Sequence, residues 1–351
     1  NEQKNYAELS KRLSKRIAFG TAGLRQRMQA GFAYMNELTV TQATQGLCKY
    51  LETEVPNARK MGICIGYDGR YNSKRFAELA AATFLHRDFK VYLFSRLAAT
   101  PIVAYGVKHK GCAAGIVVTA SHNPKDDNGY KVYWGNGCQI IPPHDKGIAA
   151  SIEKNLEPWD INVDALLKSG NLSDELDSVF ESYLKDIVSW NFCKEANGKA
   201  ALNVTYTAMH GVGAPFVTSA FDAFGLKPYI PTKEQISPDP EFPTAAFPNP
   251  EEHGALDYAI KTADSNGSTV IIANDPDADR LAAAEKQPDG KWKVFHGNEI
   301  GILMAHWAFT KYKEANPDVP NNKLCILNTT VSSKMLGAMA EKEGLFYQDT
   351  L

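Results

Sequence analysis

Three aspartates, Asp275, Asp277 and Asp279, alternate with Pro276 and Ala278 directly after the apolar run Thr269 to Ala273. A strand ending in so short and proline-stiffened a loop would hold three carboxylates at one spot, where they repel unless a cation sits among them. Oxygen ligands of this hardness suit Mg²⁺, which takes few carboxylates and completes its shell with phosphate oxygens or water. An EF-hand fits poorly, because Arg280 stands at its glycine position and Lys286 at its terminal glutamate position. Arg280, beside the carboxylates, is placed to take a phosphate oxygen in a forked contact. The ordinary alternative is an acidic turn at a strand end.

A second candidate is Thr119-Ala120-Ser121-His122-Asn123-Pro124, which presents a serine hydroxyl at the end of a buried run. It is not the GxSxG elbow of hydrolases, and no Asp or Glu is evidently arranged to orient His122. A phosphoryl group on Ser121 would bring a charge of about −1.5 to −2 and three acceptor oxygens, able to complete the shell of a cation held by the aspartate loop. Lys131 becomes a proton carrier only if burial or neighbouring charge makes it one. Phe19-Gly20-Thr21-Ala22-Gly23-Leu24-Arg25 is a glycine-bearing turn that ends in a cation and could face phosphate. Taken singly, each has a plain structural explanation: a turn serine, a hydrogen-bonded loop histidine, a solvated lysine, a chain-entry loop with a surface arginine. His210-Gly211-Val212-Gly213 reads as a tight strand-to-helix turn outside the site.

Alternating helix and strand patterns must position these groups. Helical spacing over Thr39 to Glu54 and Ser73 to Arg87 flanks strand-like runs at Met61 to Tyr67, Lys90 to Ser95 and Ala114 to Thr119, with Pro101 starting a further helix. The loop Ala120 to Gly129 then falls at the carboxyl end of a strand, where open α/β sheets bind ligands. After an exposed, polar helical region around Asp174 to Trp190 the alternation resumes with the strand Leu202 to Tyr206. The proline-rich stretch Ser237 to Pro250 cannot be regular structure, and Asn249-Pro250-Glu251-Glu252 predicts a helix start. Pro288-Asp289-Gly290 predicts a tight turn between two strands. The fold class is therefore α/β, with tandem three-layer domains and mixed, mostly parallel sheets. The expected divisions are 1–191 with the serine loop, 192–296 with the aspartate loop, and 297–351 as part of a third domain.

The length of 351 residues accommodates about two to three domains. Lys and Arg number 38 against 40 Asp and Glu, so no global field holds nucleic acid or an anionic membrane, and phosphate chemistry must come from local arrangement. Six cysteines without a CxxC pair predict reduced thiols and a cytoplasmic protein. No apolar run is long enough to span a bilayer, and the polar start Asn1 to Lys4 is not a signal peptide. A start without Met and an end at Leu351 within an alternating pattern suggest that both ends are trimmed.

In combination the segments Phe19 to Arg25, Thr119 to Lys131 and Asn274 to Arg280, in this order and at domain-scale separations, resemble the α-D-phosphohexomutase superfamily. The stretches Val132 to Ile148 and Pro238 to Glu252 are similar to its type-2 phosphoglucomutase and phosphopentomutase branch. The resemblance implies that Ser121 carries the transferable phosphoryl group and that Asp275, Asp277 and Asp279 hold Mg²⁺ with it. It implies Lys131 as general acid/base, His122 and Arg25 as assistants at the phosphoserine, and Asp279 and Arg280 in contact with the sugar phosphate. The implied reaction converts a sugar 1-phosphate into its 6- or 5-phosphate through a sugar bisphosphate, which also serves as primer. Glucose 1-phosphate, ribose 1-phosphate and deoxyribose 1-phosphate are the implied substrates. The later part of the third domain and a fourth, phosphate-binding domain of the family are absent from this sequence, so the expectation is phosphate acceptance on Ser121 with little mutase flux. The rival readings are a glucose 1,6-bisphosphate synthase, a phosphatase of the haloacid dehalogenase type with Asp275 as nucleophile, and a non-catalytic scaffold.

Overall fold

Ile63–Tyr67 and Ala114–Val118 are buried along their whole length, as parallel strands covered by helices on both faces must be. They lie at the centre of the first sheet in a computed structural model that describes residues 5–350; Asn1 to Lys4 and Leu351 lie outside the described residues. In chain order the strands are β1 (Leu24–Arg27), β2 (Ile63–Tyr67), β3 (Val91–Leu93), β4 (Ala114–Val118), β5 (Asp127–Trp134) and β6 (Leu172–Ser173), and in space they run β1-β5-β4-β2-β3-β6. Strands β4, β2, β3 and β6 are parallel, whereas β5 runs antiparallel to both β1 and β4.

Alternation along these strands divides the core. Ile63, Ile65, Ile116, Val118, Tyr130 and Val132 pack under the helices Glu37–Glu54 and Ser73–Leu85. Cys64, Val117 and Tyr133 face the opposite layer, with Thr100–His109 and Leu176–Val188. Because successive side chains point to opposite faces, Lys131 between Tyr130 and Val132 belongs to that second face.

The second sheet has the order β11-β10-β9-β7-β8, from β7 (Val204–Thr207), β8 (Ile230–Pro231), β9 (Val270–Asn274), β10 (Leu281–Lys286) and β11 (Trp292–Phe295). Strands β7, β8 and β9 are parallel, and β10 and β11 continue the sheet antiparallel. The predicted tight turn joins β10 to β11, with Gly290 at φ +85. After the helix Gly297–Ala315 come two parallel strands, β12 (Cys325–Thr329) and β13 (Phe346–Thr350), with the helix Met335–Glu343 between them. No helix among the described residues is long and apolar enough to cross a membrane, and all six cysteines are free.

Three local expectations need correction. The serine loop stops before Asp127, because Asp127, Asn128 and Gly129 pair with Arg27, Gln26 and Arg25 and so extend β5. The helix predicted from Asn249 begins instead at Asp257. The Asn249 side chain accepts from the Glu251 N–H at 3.3 Å, and Gly254 at φ +80 breaks the chain into successive turns before any helical ladder forms. Leu176–Val188 is not simply exposed: Leu176 and Val179 are buried, and Phe180 meets Phe216 of the second unit edge to face at 5.0 Å.

Candidate active site

The loop after β4 and the loop after β9 meet. Ser121 is buried, and its Oγ donates to Oδ2 of Asp275 at 2.7 Å while lying 3.4 Å from Nδ1 of His122. Two residues whose side chains disfavour the left-handed region adopt it here, Ser121 at φ 52 and Ala278 at φ 55. Each costs about 1–3 kcal/mol and persists only where surrounding contacts over-determine it, a pattern that clusters at active sites. For Ser121 those contacts include its own N–H donating to Thr119 Oγ1 at 2.8 Å. For the aspartate loop they include the Ala278 N–H on the Asp275 carbonyl at 2.9 Å and the Arg280 N–H on Asp275 Oδ1 at 3.1 Å.

Lys131 is not a solvated lysine. Flanked by β1 and β4, β5 delivers its ammonium to Asp277 Oδ2 at 2.6 Å and Asp279 Oδ2 at 2.7 Å. Burial disfavours the charge on Lys131, but the two carboxylates outweigh it and raise the pKa above the usual lysine value. Burial also works against ionisation of Asp277, yet the Lys131 ammonium holds that carboxyl below its ordinary range. Asp275 goes the other way: burial first, then the charges of Asp277 and Asp279, push it well above the carboxylate range. His122 is lowered to about 4 by burial and by the cations Arg280 and Arg25, so its ring is neutral at pH 7.

One oxygen from each of Asp275, Asp277 and Asp279 lies within 4.8 Å of the other two. Oδ1 of Asp277 is buried without a hydrogen-bond partner among the described residues. Such an orphaned carboxylate oxygen inside an acidic trio suits a cation ligand, and the all-oxygen set fits Mg²⁺. Arg280 completes this end of the site, its Nε 3.9 Å from Asp275 Oδ2 and its side chain partly exposed.

Arg25 lies on β1 opposite Gly129, next to the serine loop. The turn that leads to it closes through reciprocal Gly20 and Gly23 backbone bonds of 3.2 and 2.8 Å. At Gly23, φ is +71 and a Cβ would lie 1.9 Å from the Tyr130 carbonyl oxygen. Gly23→Ala is therefore expected to cost about 1–3 kcal/mol in urea unfolding, and an unchanged midpoint would contradict the clash. The His210 to Gly213 turn serves packing: a Cβ on Gly211 would lie 2.3 Å from Pro276 Cα, so this turn braces the aspartate loop from behind.

Several residues in the site carry no motif. Thr100 begins its helix with its N–H on the Asp277 carbonyl at 2.9 Å and its Oγ1 on Asp277 Oδ2 at 2.7 Å. Arg70, buried after β2, donates to the carbonyls of Ser121, Asn123 and Pro124 at 2.5, 2.6 and 2.8 Å, and Asp68 lies 3.2 Å from its Nε. The only sequence signal for it is Asp68-Gly69-Arg70 following a strand-like run, at the same sheet end as the serine loop.

Residues 16–159 match the family Phosphoglucomutase/phosphomannomutase, alpha/beta/alpha domain I, and residues 181–290 match alpha/beta/alpha domain II of that family. The phosphopentomutase of Homo sapiens is 48% identical over 99% of this chain and 58% of its own length. The glucose 1,6-bisphosphate synthase of Homo sapiens is 47% identical over 98% of this chain and 57% of its own length. The chain thus spans less than three fifths of either relative. A phosphoglucomutase/phosphomannomutase family protein from Burkholderia thailandensis superposes with a TM-score of 0.71, at 19% identity, over 96% of this chain and 67% of that one, a likeness of fold.

Proposed function

The chain belongs to the α-D-phosphohexomutase superfamily, and from that premise we propose that it forms the phosphoserine-bearing and metal-holding part of a sugar-phosphate mutase of the phosphoglucomutase and phosphopentomutase branch. The observation that carries this reading is the 2.7 Å contact between Ser121 Oγ and Asp275, two groups far apart in sequence. On this reading the chain divides near residues 191 and 296, with the serine and aspartate loops on separate domains whose facing ends form the cleft. Sugar monophosphates are the substrates, glucose 1-phosphate, ribose 1-phosphate or deoxyribose 1-phosphate among them, and a sugar bisphosphate primes the enzyme. The six free thiols support a reducing, cytoplasmic setting.

Each transfer balances in the same way. In the first, the sugar hydroxyl oxygen bonds to phosphorus, the Ser121 Oγ–P bond breaks, and the hydroxyl proton is replaced on Oγ. After the bisphosphate turns round, Oγ bonds to its other phosphate, the sugar O–P bond breaks, and the Oγ proton ends on the departing sugar oxygen. Lys131, held protonated by Asp277 and Asp279, is set to donate to the departing oxygen and to regain its proton from the attacking hydroxyl. Arg25 and Arg280 offer guanidinium donors to phosphate oxygens, and the neutral His122 accepts or donates a hydrogen bond at Oγ without adding charge. Mg²⁺ on Asp275, Asp277, Asp279 and the Ser121 phosphate would supply charge neutralisation for the transferring group.

Asp275 is a poor phosphatase nucleophile, since its reactive oxygen already accepts from Ser121 and burial suppresses its charge. A bisphosphate synthase shares every residue above and differs in donor; the near-equal identity to the human synthase keeps it as the second reading. Incubation with labelled glucose 1,6-bisphosphate and Mg²⁺ tests the proposal. Acid-stable phosphate is expected on Ser121. Acyl phosphate on Asp275 would replace the reading with the phosphatase.

A further inference from the structure

The proline-rich stretch of the second unit is a strap across the serine loop. Asp239 anchors it, with its N–H on the His210 carbonyl at 3.0 Å and its own carbonyl receiving the Phe242 N–H at 3.1 Å. From there Glu241 reaches the first unit twice, accepting from Tyr71 Oη at 2.7 Å and Lys125 Nζ at 2.6 Å. Phe247 meets His122 edge to face at 5.5 Å. Between them Phe242, buried and at φ 45, covers the Arg70 guanidinium at 4.8 Å from ring centroid to Cζ.

Arg70 explains why that contact matters. Its terminal nitrogens gather the carbonyls of Ser121, Asn123, Pro124 and, at 3.3 Å, Asp127, so the guanidinium plane fixes the loop at both ends. The terminal nitrogens are spent in-plane on carbonyls and Asp68 pairs with Nε as an ion at 3.2 Å, which leaves a face of the guanidinium for an aromatic partner. Phe242 supplies it from the other unit. The loop conformation that holds Ser121 at φ 52 is therefore coupled to docking of the second unit, which also brings Asp275 to Ser121.

We propose that Phe242 is a positioning residue for phosphoryl transfer, acting through the Arg70 guanidinium to hold Ser121 in line with the aspartate loop. The proposal rests on the phosphoserine reading above. It places no demand on substrate binding, because Phe242 makes no hydrogen bond or aromatic contact with Ser121, Asp275, Asp277 or Asp279, and so it predicts a loss in maximal rate with unchanged half-saturation.

The test measures phosphate loading of Ser121 in this chain from labelled glucose 1,6-bisphosphate, as a function of bisphosphate concentration, for the unmodified chain, Phe242→Leu, Phe242→Tyr and Arg70→Lys. Phe242→Leu keeps an apolar side chain but removes the ring, and Arg70→Lys keeps the charge but removes the fork. Both are expected to lower the maximal loading rate ~10–100-fold at unchanged half-saturating concentration, the scale of a misplacement near one ångström. Phe242→Tyr is expected to restore the rate to within about threefold, since its ring covers a cation equally well. Near-normal loading by Phe242→Leu overturns the proposal, as does failure of Phe242→Tyr to recover. If Phe242→Leu does not fold, Arg70→Lys and Phe242→Tyr decide by the same criteria. Absence of label on the unmodified chain overturns the phosphoserine reading and this proposal together, whereas normal loading in every variant overturns this proposal alone.

Discussion

Ser121→Ala is expected to lower phosphoryl transfer on the order of 10⁴-fold or more while leaving the fold in place, because it deletes the atom on which the phosphate rides. Alanine fits the space, and the loop keeps its Arg70 bonds, which are made to carbonyls and not to the serine side chain. Asp275 loses the Oγ–H donor but keeps the Arg280 N–H on its other oxygen, so the stability change is small beside the change in transfer. The comparison is sharpest as label retained after acid: background levels in Ser121→Ala with a melting transition within a few degrees of the parent. Label persisting at the parental level would move the acceptor to another residue and end the assignment. Ser121→Thr is a poor control here, since a β-branched side chain at φ 52 adds backbone strain of its own.

The aspartate trio was legible because its chemistry is written in spacing: alternate carboxylates after an apolar run, stiffened by Pro276, have few bland uses. The serine loop was legible for a related reason, a hydroxyl at a strand end with no hydrolase signature. Lys131 was legible only through family resemblance. Its burial depends on β5 lying between β1 and β4, and the partner strand β1 comes from the far side of the sequence. Arg70 and Thr100 escaped because their partners are main-chain carbonyls or lie on another unit, and main-chain atoms leave no trace in residue types. Phe242 sat inside a stretch correctly excluded from regular structure, but irregular does not mean passive. At Asn249 the local signals for a helix were present and lost to Gly254, whose left-handed backbone diverts the chain within a few residues.

Opposite responses are expected from two neighbouring carboxylates. In EDTA at neutral pH, Asp275→Asn should stabilise the protein by about 1–2 kcal/mol, because the parent must take up a proton on Asp275 as it folds beside Asp277 and Asp279 and the amide need not. The amide still serves both neighbours, with its oxygen facing the Arg280 N–H and its NH₂ turned toward Ser121 Oγ. Asp277→Asn in the same buffer should destabilise by about 1–3 kcal/mol, because Lys131 and Thr100 both lean on that carboxylate and the ammonium is buried. With Mg²⁺ the pattern changes: the parent gains about 2.7 kcal/mol once the ion reaches a hundred times its dissociation constant, and both variants lose most of that gain. Urea unfolding with and without Mg²⁺ measures all of these quantities. Equal destabilisation of the two variants in EDTA would show that Asp275 carries no electrostatic penalty. A full Mg²⁺ response in either variant would show that its carboxylate is not among the ligands, and the orphaned oxygen of Asp277 makes Asp277→Asn the stricter of the two tests.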